Sequence, residues 1–284
     1  MATIPPALLA RLVEHRRHHG VAPQIRPLAH TFAQQVLGLL FPHFASATAS
    51  VETLGDELTA LLETLGKLEH AIASTQQRMP AQVAERFLEA LPAVHELLDD
   101  DARAIFEGDP AARSVDEVIL TYPGFVAIAI YRVANVLHQV GVPLLPRLLT
   151  EYVHEKTGID IHPGATIGRR FCIDHGTGIV IGETTVIGDD VKLYQGVTLG
   201  ALTVEKSLAN SKRHPTIEHD CVIYAGATIL GGTTVVGHHT VIAGNAFVTR
   251  SAPPNSVVTR QSEVRPRRTG ESDQQALEEF DFVI

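Results

Sequence analysis

From Ile161 onward an aliphatic or β-branched residue returns at every sixth position: Ile161, Ile167, Ile173, Ile179, Thr185, Val191 and Val197. After a break the same step resumes through Ile217, Ile223, Ile229, Val235, Val241 and Phe247. Neither the 3.6-residue period of a helix nor the two-residue alternation of a strand produces a six. A hexad repeat predicts a parallel β-helix: each hexad supplies one short strand and a corner, and three hexads close a triangular coil. The sixth residue then points inward and stacks on its equivalents in neighbouring coils. Gly164, Gly168, Gly176, Gly182, Gly188, Gly226, Gly232, Gly237 and Gly244 fall mostly between these positions, where corners turn. Short strands of a sandwich are the competing reading, but they have no reason to keep a six-residue step.

The first half carries a different pattern. Between about Leu8 and Thr157 apolar residues recur at helical spacing, as in Phe32, Val36, Leu39 and Leu40, or Leu54, Leu58, Leu61, Leu62, Leu65 and Leu68. Prolines punctuate the periodic stretches. The spacing predicts helices over 50–73, 81–98, 124–139 and 144–156. Asp109–Pro110 predicts the start of another, with aspartate as cap and proline in the first turn. Gly158 is expected to end the last helix, and Asp160–Ile161 to begin the coils. The fold class is therefore α+β, with a helical domain at 1–157, a β-helix at 158–258 and a tail at 259–284. The step from Val197 to Ile217 is not a multiple of six, so 200–215 is expected to leave the stack as a protruding loop. The tail is polar and acidic until Phe280–Ile284 and is expected to be flexible or loosely attached.

Composition narrows the function classes. The chain has 284 residues, 45% hydrophobic, and a formal charge of −9, which argues against non-specific nucleic-acid binding and anionic membranes. The apolar stretch 124–137 is too short to span a bilayer and contains Arg132 and Asn135. No signal peptide is expected: residues 1–7 lack a basic region, and the next ten contain Arg11, Glu14, Arg16 and Arg17. Two cysteines, Cys172 and Cys221, exclude a disulfide scaffold and suit reduced thiols in the cytoplasm. The absence of tryptophan suits a core of stacked aliphatics.

Among the 15 histidines, position matters more than number. His175 lies within Asp174–Gly178, the stretch directly after the inward Ile173, and the glycines leave the ring open. It reads either as a corner residue or as a general base. In the second case Asp160, on a coil about 5 Å away, could fix its tautomer. Arg213 and His214 stand where the loop rejoins the coils. They read either as a solvated basic hinge or as a carboxylate-binding pair. His238–His239 reads as a surface corner, and His162 before Pro163 as structural.

These blocks carry a resemblance. The stretches DIHPGATIG at 160–168, DHGTGIVIGE at 174–183, GVTLG at 196–200, KRHPTI at 212–217 and AGATILGG at 225–232 resemble serine O-acetyltransferase. That enzyme belongs to the left-handed β-helix acyltransferases. The resemblance implies left-handed coiling and acetyl transfer from acetyl-CoA, a co-substrate, to the L-serine hydroxyl, giving O-acetylserine for cysteine biosynthesis. It makes His175 the base and Asp160 its orienting carboxylate. Asp109, Pro110, Asp174, Arg213 and His214 become the serine site, since a zwitterion needs groups of both signs. Ala201, Ala225, Gly226, Ala243 and Gly244 match positions along an acetyl-CoA groove between neighbouring solenoids, and each also reads as a plain corner residue.

The resemblance further implies a trimer or a dimer of trimers, cysteine as feedback inhibitor, and no tightly bound cofactor or metal. It also implies that Ile284 inserts into O-acetylserine sulfhydrylase. Two departures stand out: the loop is long with an amphipathic centre at 204–208, and Arg260, Arg265, Arg267 and Arg268 form a basic run. That run reads either as a contact for CoA phosphates or as a partner for the acidic tail. Competing functions are the same transfer to homoserine or an amino sugar, a zinc-dependent hydratase similar to γ-class carbonic anhydrases, and a silent scaffold.

Overall fold

The computed structural model describes residues 4–18, 24–45, 50–73, 78–202 and 211–259. Among the described residues seven α-helices occupy the first half: α1 Pro6–His18, α2 Ile25–Leu40, α3 Val51–Ala73, α4 Val83–Gly108, α5 Val115–Thr121, α6 Pro123–Val140 and α7 Leu145–Thr157. Gly158 closes α7 in the left-handed conformation that its missing side chain permits, with φ 70°. The predicted helix start at Asp109–Pro110 is not found. Helix α4 runs on past residue 98 to Gly108, and Asp109 is its extended C-cap. The proline disfavours helical geometry in the residue before it. Helix α5 starts later, at Ser114, whose hydroxyl accepts the Glu117 N–H at 3.0 Å.

The second half is a left-handed parallel β-helix of three sheets, one per side of the triangle. The first sheet stacks β1 Asp160–Ile161, β4 Val180–Ile181, β7 Thr198–Gly200, β10 Thr228–Leu230 and β13 Phe247–Val248. The second stacks β2 Thr166–Ile167, β5 Val186–Ile187, β8 Thr216–Ile217 and β11 Val235–Val236. The third stacks β3 Cys172–Asp174, β6 Lys192–Tyr194, β9 Val222–Ile223, β12 Val241–Ile242 and β14 Val257–Val258. All registered pairs are parallel, so every inner face belongs to the core.

The registers correct the hexad reading in one respect. Ile161 stacks on Ile181, and Ile181 on Leu199. Ile173 stacks on Leu193, and Leu193 on Ile223. Two residues before each of these lies a second buried position, occupied by Ile159, Ile179, Val197, Phe171, Val191 and Cys221. The series seen in sequence therefore switches ladders: Ile161–Ile173 lie on one, and Ile179–Val197 on the other. The switch conceals two extra residues in the turn between Ile173 and Ile181, which is the turn that carries His175. A further residue is absorbed near Gly231, with φ 105°. It moves the inward set to Val236, Ile242 and Val248, leaving Phe247 on the surface. Each inward isoleucine stabilises the stack by about 1.5–3 kcal/mol.

Helix α6 fastens the helical half to the first coil. Tyr131 Oη donates to the Ala165 carbonyl at 2.6 Å, and Asn135 Nδ2 to the Pro163 carbonyl at 2.8 Å. Buried Arg132 bonds both oxygens of buried Asp101 in α4, at 2.5 and 2.8 Å, and reaches the Gly168 carbonyl at 2.7 Å. Asp101 also accepts the Phe171 N–H at 2.9 Å. At Gly124 a Cβ would lie 2.6 Å from the Ile173 carbonyl oxygen, so glycine is what lets α6 touch the solenoid there.

Candidate active site

The end of α4 and the α5–α6 junction face the turn that follows β3, and between them lies a cleft of about 400 Å³. Asp109, Tyr122, Gly124, Asp174, His175 and Thr177 line it. The two extra turn residues push His175 outward with φ 59°, leaving its side chain 72% exposed. Its Nε2 lies 3.8 Å from Asp174 Oδ1. The other Asp174 oxygen is 3.0 Å from Lys192 Nζ, which also donates to the Gly108 carbonyl at 2.6 Å. Burial alone would lower the Lys192 pKa, but Tyr194 and Asp174 outweigh it and hold it above the usual lysine range. Asp109 accepts the Tyr122 hydroxyl at 2.6 Å and the Ala111 N–H at 2.8 Å. The Tyr122 bond, with the backbone bond second, keeps Asp109 below the ordinary carboxylate range and pushes Tyr122 up to about 12. An imidazole thus shares one cleft with the carboxyl groups of Asp109 and Asp174.

Arg213 and His214 form a second cluster on a different edge. Thr184 Oγ1 accepts the Arg213 and His214 backbone N–H groups, both at 3.0 Å, and the Thr184 N–H donates to His214 Nδ1 at 3.1 Å. The neutral ring therefore carries its proton on Nε2. Burial, followed by the Arg213 charge, pushes the His214 pKa down to about 4. Arg213 pairs with Glu183, whose pKa burial would raise but Arg213 holds low. At Gly182 a Cβ would fall 2.0 Å from the His214 ring, so only glycine fits beneath it. This edge joins the first and second sheets, whereas His175 lies where the third sheet passes to the first. The two clusters thus stand on different edges, and among the described residues His175 and His214 do not converge as zinc ligands within one chain.

Asp160 sits beneath the His175 turn. Its N–H donates to the Ile179 carbonyl at 2.9 Å, and the Gly178 N–H donates to the Gly158 carbonyl at 2.8 Å. Its carboxylate groups with Glu151 and His154, donor atoms within 4.8 Å of one another, and makes no hydrogen bond or ion pair with His175 among the described residues. Pro110 follows Asp109 in the chain and is not among the residues that line the cleft. Ala225, Gly226, Ala243 and Gly244 follow β9 and β12 on the His175 edge; Ala201 follows β7 on the Arg213 edge. Ile284, the four arginines at 260–268 and the loop centre lie outside the described residues. Sequence reading did not single out Tyr122, Lys192, Glu183 or Thr184. Glu183 stood inside a quoted block, but Tyr122 and Lys192 gave no local signal, because their partners are distant in the chain.

Similarity to known proteins decides the family. A plasmid serine acetyltransferase of Synechococcus elongatus is 43% identical, over 87% of this chain and 86% of its own length. This chain belongs to the serine acetyltransferase family. The family's N-terminal domain, described as serine acetyltransferase, N-terminal, matches residues 25–129. The Bacillus subtilis serine acetyltransferase is 53% identical over 48% of this chain and 60% of its own. Among solved structures, serine acetyltransferase isoform 3 of Entamoeba histolytica, in complex with cysteine, superposes with a TM-score of 0.73 at 34% identity, covering 87% of this chain and 86% of that one. Serine acetyltransferase 1 of the same organism, in complex with L-cysteine, gives 0.74 at 33%, covering 83% of this chain and 98% of that one. The helical half and the solenoid are thus both shared with serine acetyltransferases. No single helix among the described residues is long and apolar enough to cross a membrane.

Proposed function

We propose that the protein transfers the acetyl group of acetyl-CoA to the hydroxyl of L-serine, releasing O-acetylserine and CoA for cysteine biosynthesis. The observation that carries this reading is the cleft in which the exposed His175 ring meets Asp109 and Asp174. His175 takes the serine hydroxyl proton as that oxygen attacks the thioester carbonyl. The tetrahedral intermediate expels CoA thiolate, which recovers the proton from the imidazolium. Asp174, 3.8 Å from the ring, stabilises that imidazolium, and Asp160 beneath the turn adds a second carboxylate to orient it. Asp109, followed by Pro110, and Asp174 receive the serine ammonium.

Arg213 and His214 receive the serine carboxylate. Because they occupy a different edge from His175, the reading takes them from a neighbouring copy, in a trimer or a dimer of trimers. Acetyl-CoA then runs along Ala225, Gly226, Ala243 and Gly244 of one solenoid and Ala201 of the next. L-cysteine shares the serine zwitterion and competes for the same groups; the complexes of the two Entamoeba proteins with cysteine support this. A terminal isoleucine with its carboxylate, Ile284, is assigned to the active site of O-acetylserine sulfhydrylase. The buried free thiols Cys172 and Cys221 agree with a cytoplasmic location.

A thiol-release assay with serine, homoserine and glucosamine, with and without chelator, tests the reading. Serine-selective, chelator-insensitive CoA release is expected, and His175→Ala should reduce kcat by about 10²–10⁴-fold. Selectivity for another acceptor overturns the substrate; an undiminished His175→Ala variant overturns the mechanism.

A further inference from the structure

The third edge of the solenoid, between the second and third sheets, carries neither cluster described above. Here the corner after β8 places His219 and Asp220, and the corner after β11, one coil on, places His238 and His239. Asp220 Oδ2 lies 2.7 Å from His219 Nδ1 and 3.7 Å from His239 Nε2, and the three residues each offer a donor atom, all within 4.8 Å of one another. The other nitrogen of the His239 ring is 3.0 Å from His238 Nδ1. The His238 ring stacks on His219, with centroids 4.9 Å apart and planes within 5°. The coil itself holds the arrangement: the His239 N–H donates to the His219 carbonyl at 3.1 Å, and the His238 N–H to Glu218 Oε2 at 2.8 Å. Asp220 and His239 both adopt left-handed backbone conformations, φ 57° and 56°, which turn their side chains toward each other across the coil boundary.

We propose that His219, Asp220 and His239 form a binding site for a divalent transition metal of the zinc class, with His238 as its outer support. Two imidazoles and a carboxylate are a preferred donor set for such ions. Around tetrahedral zinc at about 2.0–2.1 Å, neighbouring donors lie roughly 3.3 Å apart. The observed 2.7 and 3.7 Å straddle that value, so rotamer adjustment closes the set without moving the coils. His239 offers Nε2 to the ion while its Nδ1–H donates to His238 Nδ1, the outer hydrogen bond that orients metal-binding imidazoles. Solvent completes the coordination, since the corner is exposed. The ion joins two successive coils and lies on an edge remote from His175. Its role is to pin the C-terminal coils together, and acetyl transfer does not pass through it.

The test uses the full chain, freed of metal with chelator, titrated with zinc by calorimetry and followed by cobalt absorption. One strong site per chain is expected, with a zinc-dependent rise in Tm. Asp220→Asn and His239→Asn, in which asparagine keeps the left-handed backbone accessible, should abolish stoichiometric binding and the Tm rise while leaving chelator-treated acetyl transfer unchanged. His238→Asn should weaken binding about 10–100-fold. The group Glu151–His154–Asp160 supplies the control, because its donor atoms are equally close. No stoichiometric zinc on the wild-type chain, retention by both asparagine variants, or loss in His154→Asn instead would each overturn the proposal.

Discussion

Tyr122 sets the state of Asp109. Its 2.6 Å hydrogen bond takes Asp109 Oδ2, while the Ala111 N–H takes Oδ1 at 2.8 Å, so the pair anchors the carboxylate at the cleft wall. Tyr122→Phe removes a bond to a charged group, worth about 1.5–3 kcal/mol. The KM for serine is therefore expected to rise roughly tenfold or more, with kcat little changed; steady-state kinetics at fixed acetyl-CoA distinguish the two. His214 and His162 also act on stability, because burial, the first cause for each, lowers both to about 4. Both protonate more readily in the unfolded chain, at about 6.5. Their contribution is complete above pH 6.5 and is lost as the pH falls toward 4. Urea midpoints should decline over that window, and His214→Asn should flatten the decline.

At the scale of elements, α6 decides where the cleft stands relative to the His175 turn. The Asp101–Arg132 pair is buried, so Arg132→Met strands a carboxylate in the interior and should cost about 3–5 kcal/mol, read from denaturant unfolding. Gly124→Ala should act on catalysis, because the new methyl would meet the Ile173 carbonyl at 2.6 Å and force α6 off the turn. A fall in kcat larger than the fall in stability would mark that displacement. Neither effect is visible in the helical periodicity that predicted α6. Periodicity reports which face is apolar, and a buried ion pair interrupts that face without a local signature. For the same reason Asp109–Pro110 read as a helix start: the residues suit a cap, but α4 had more apolar face to bury and carried on to Gly108.

For the whole molecule, the three edges of the triangle divide the chemistry. His175 occupies one, Arg213 and His214 another, and the histidine cluster at 219–239 the third. If serine is held by two copies, mixing His175→Ala chains with Arg213→Ala chains under subunit exchange should restore acetyl transfer above either variant alone. No recovery in verified mixed oligomers would place a complete site within one chain. The corner of one solenoid must then meet a different corner of its neighbour, a head-to-tail contact that closes as a ring.

The sequence by itself determined the coiled solenoid, its start at Asp160 and the end of α7 at Gly158, because a repeat and its interruptions are local facts. Stacking in register, Ile161 on Ile181 and Ile181 on Leu199, was decided only in three dimensions. Two inward ladders offset by two residues look like one unbroken series until the coils are paired. The same holds for Tyr122 with Asp109, Lys192 with Asp174 and His219 with His239. Each pair joins positions that sequence keeps apart, and only the closing of a coil or the docking of a helix brings their charges within reach.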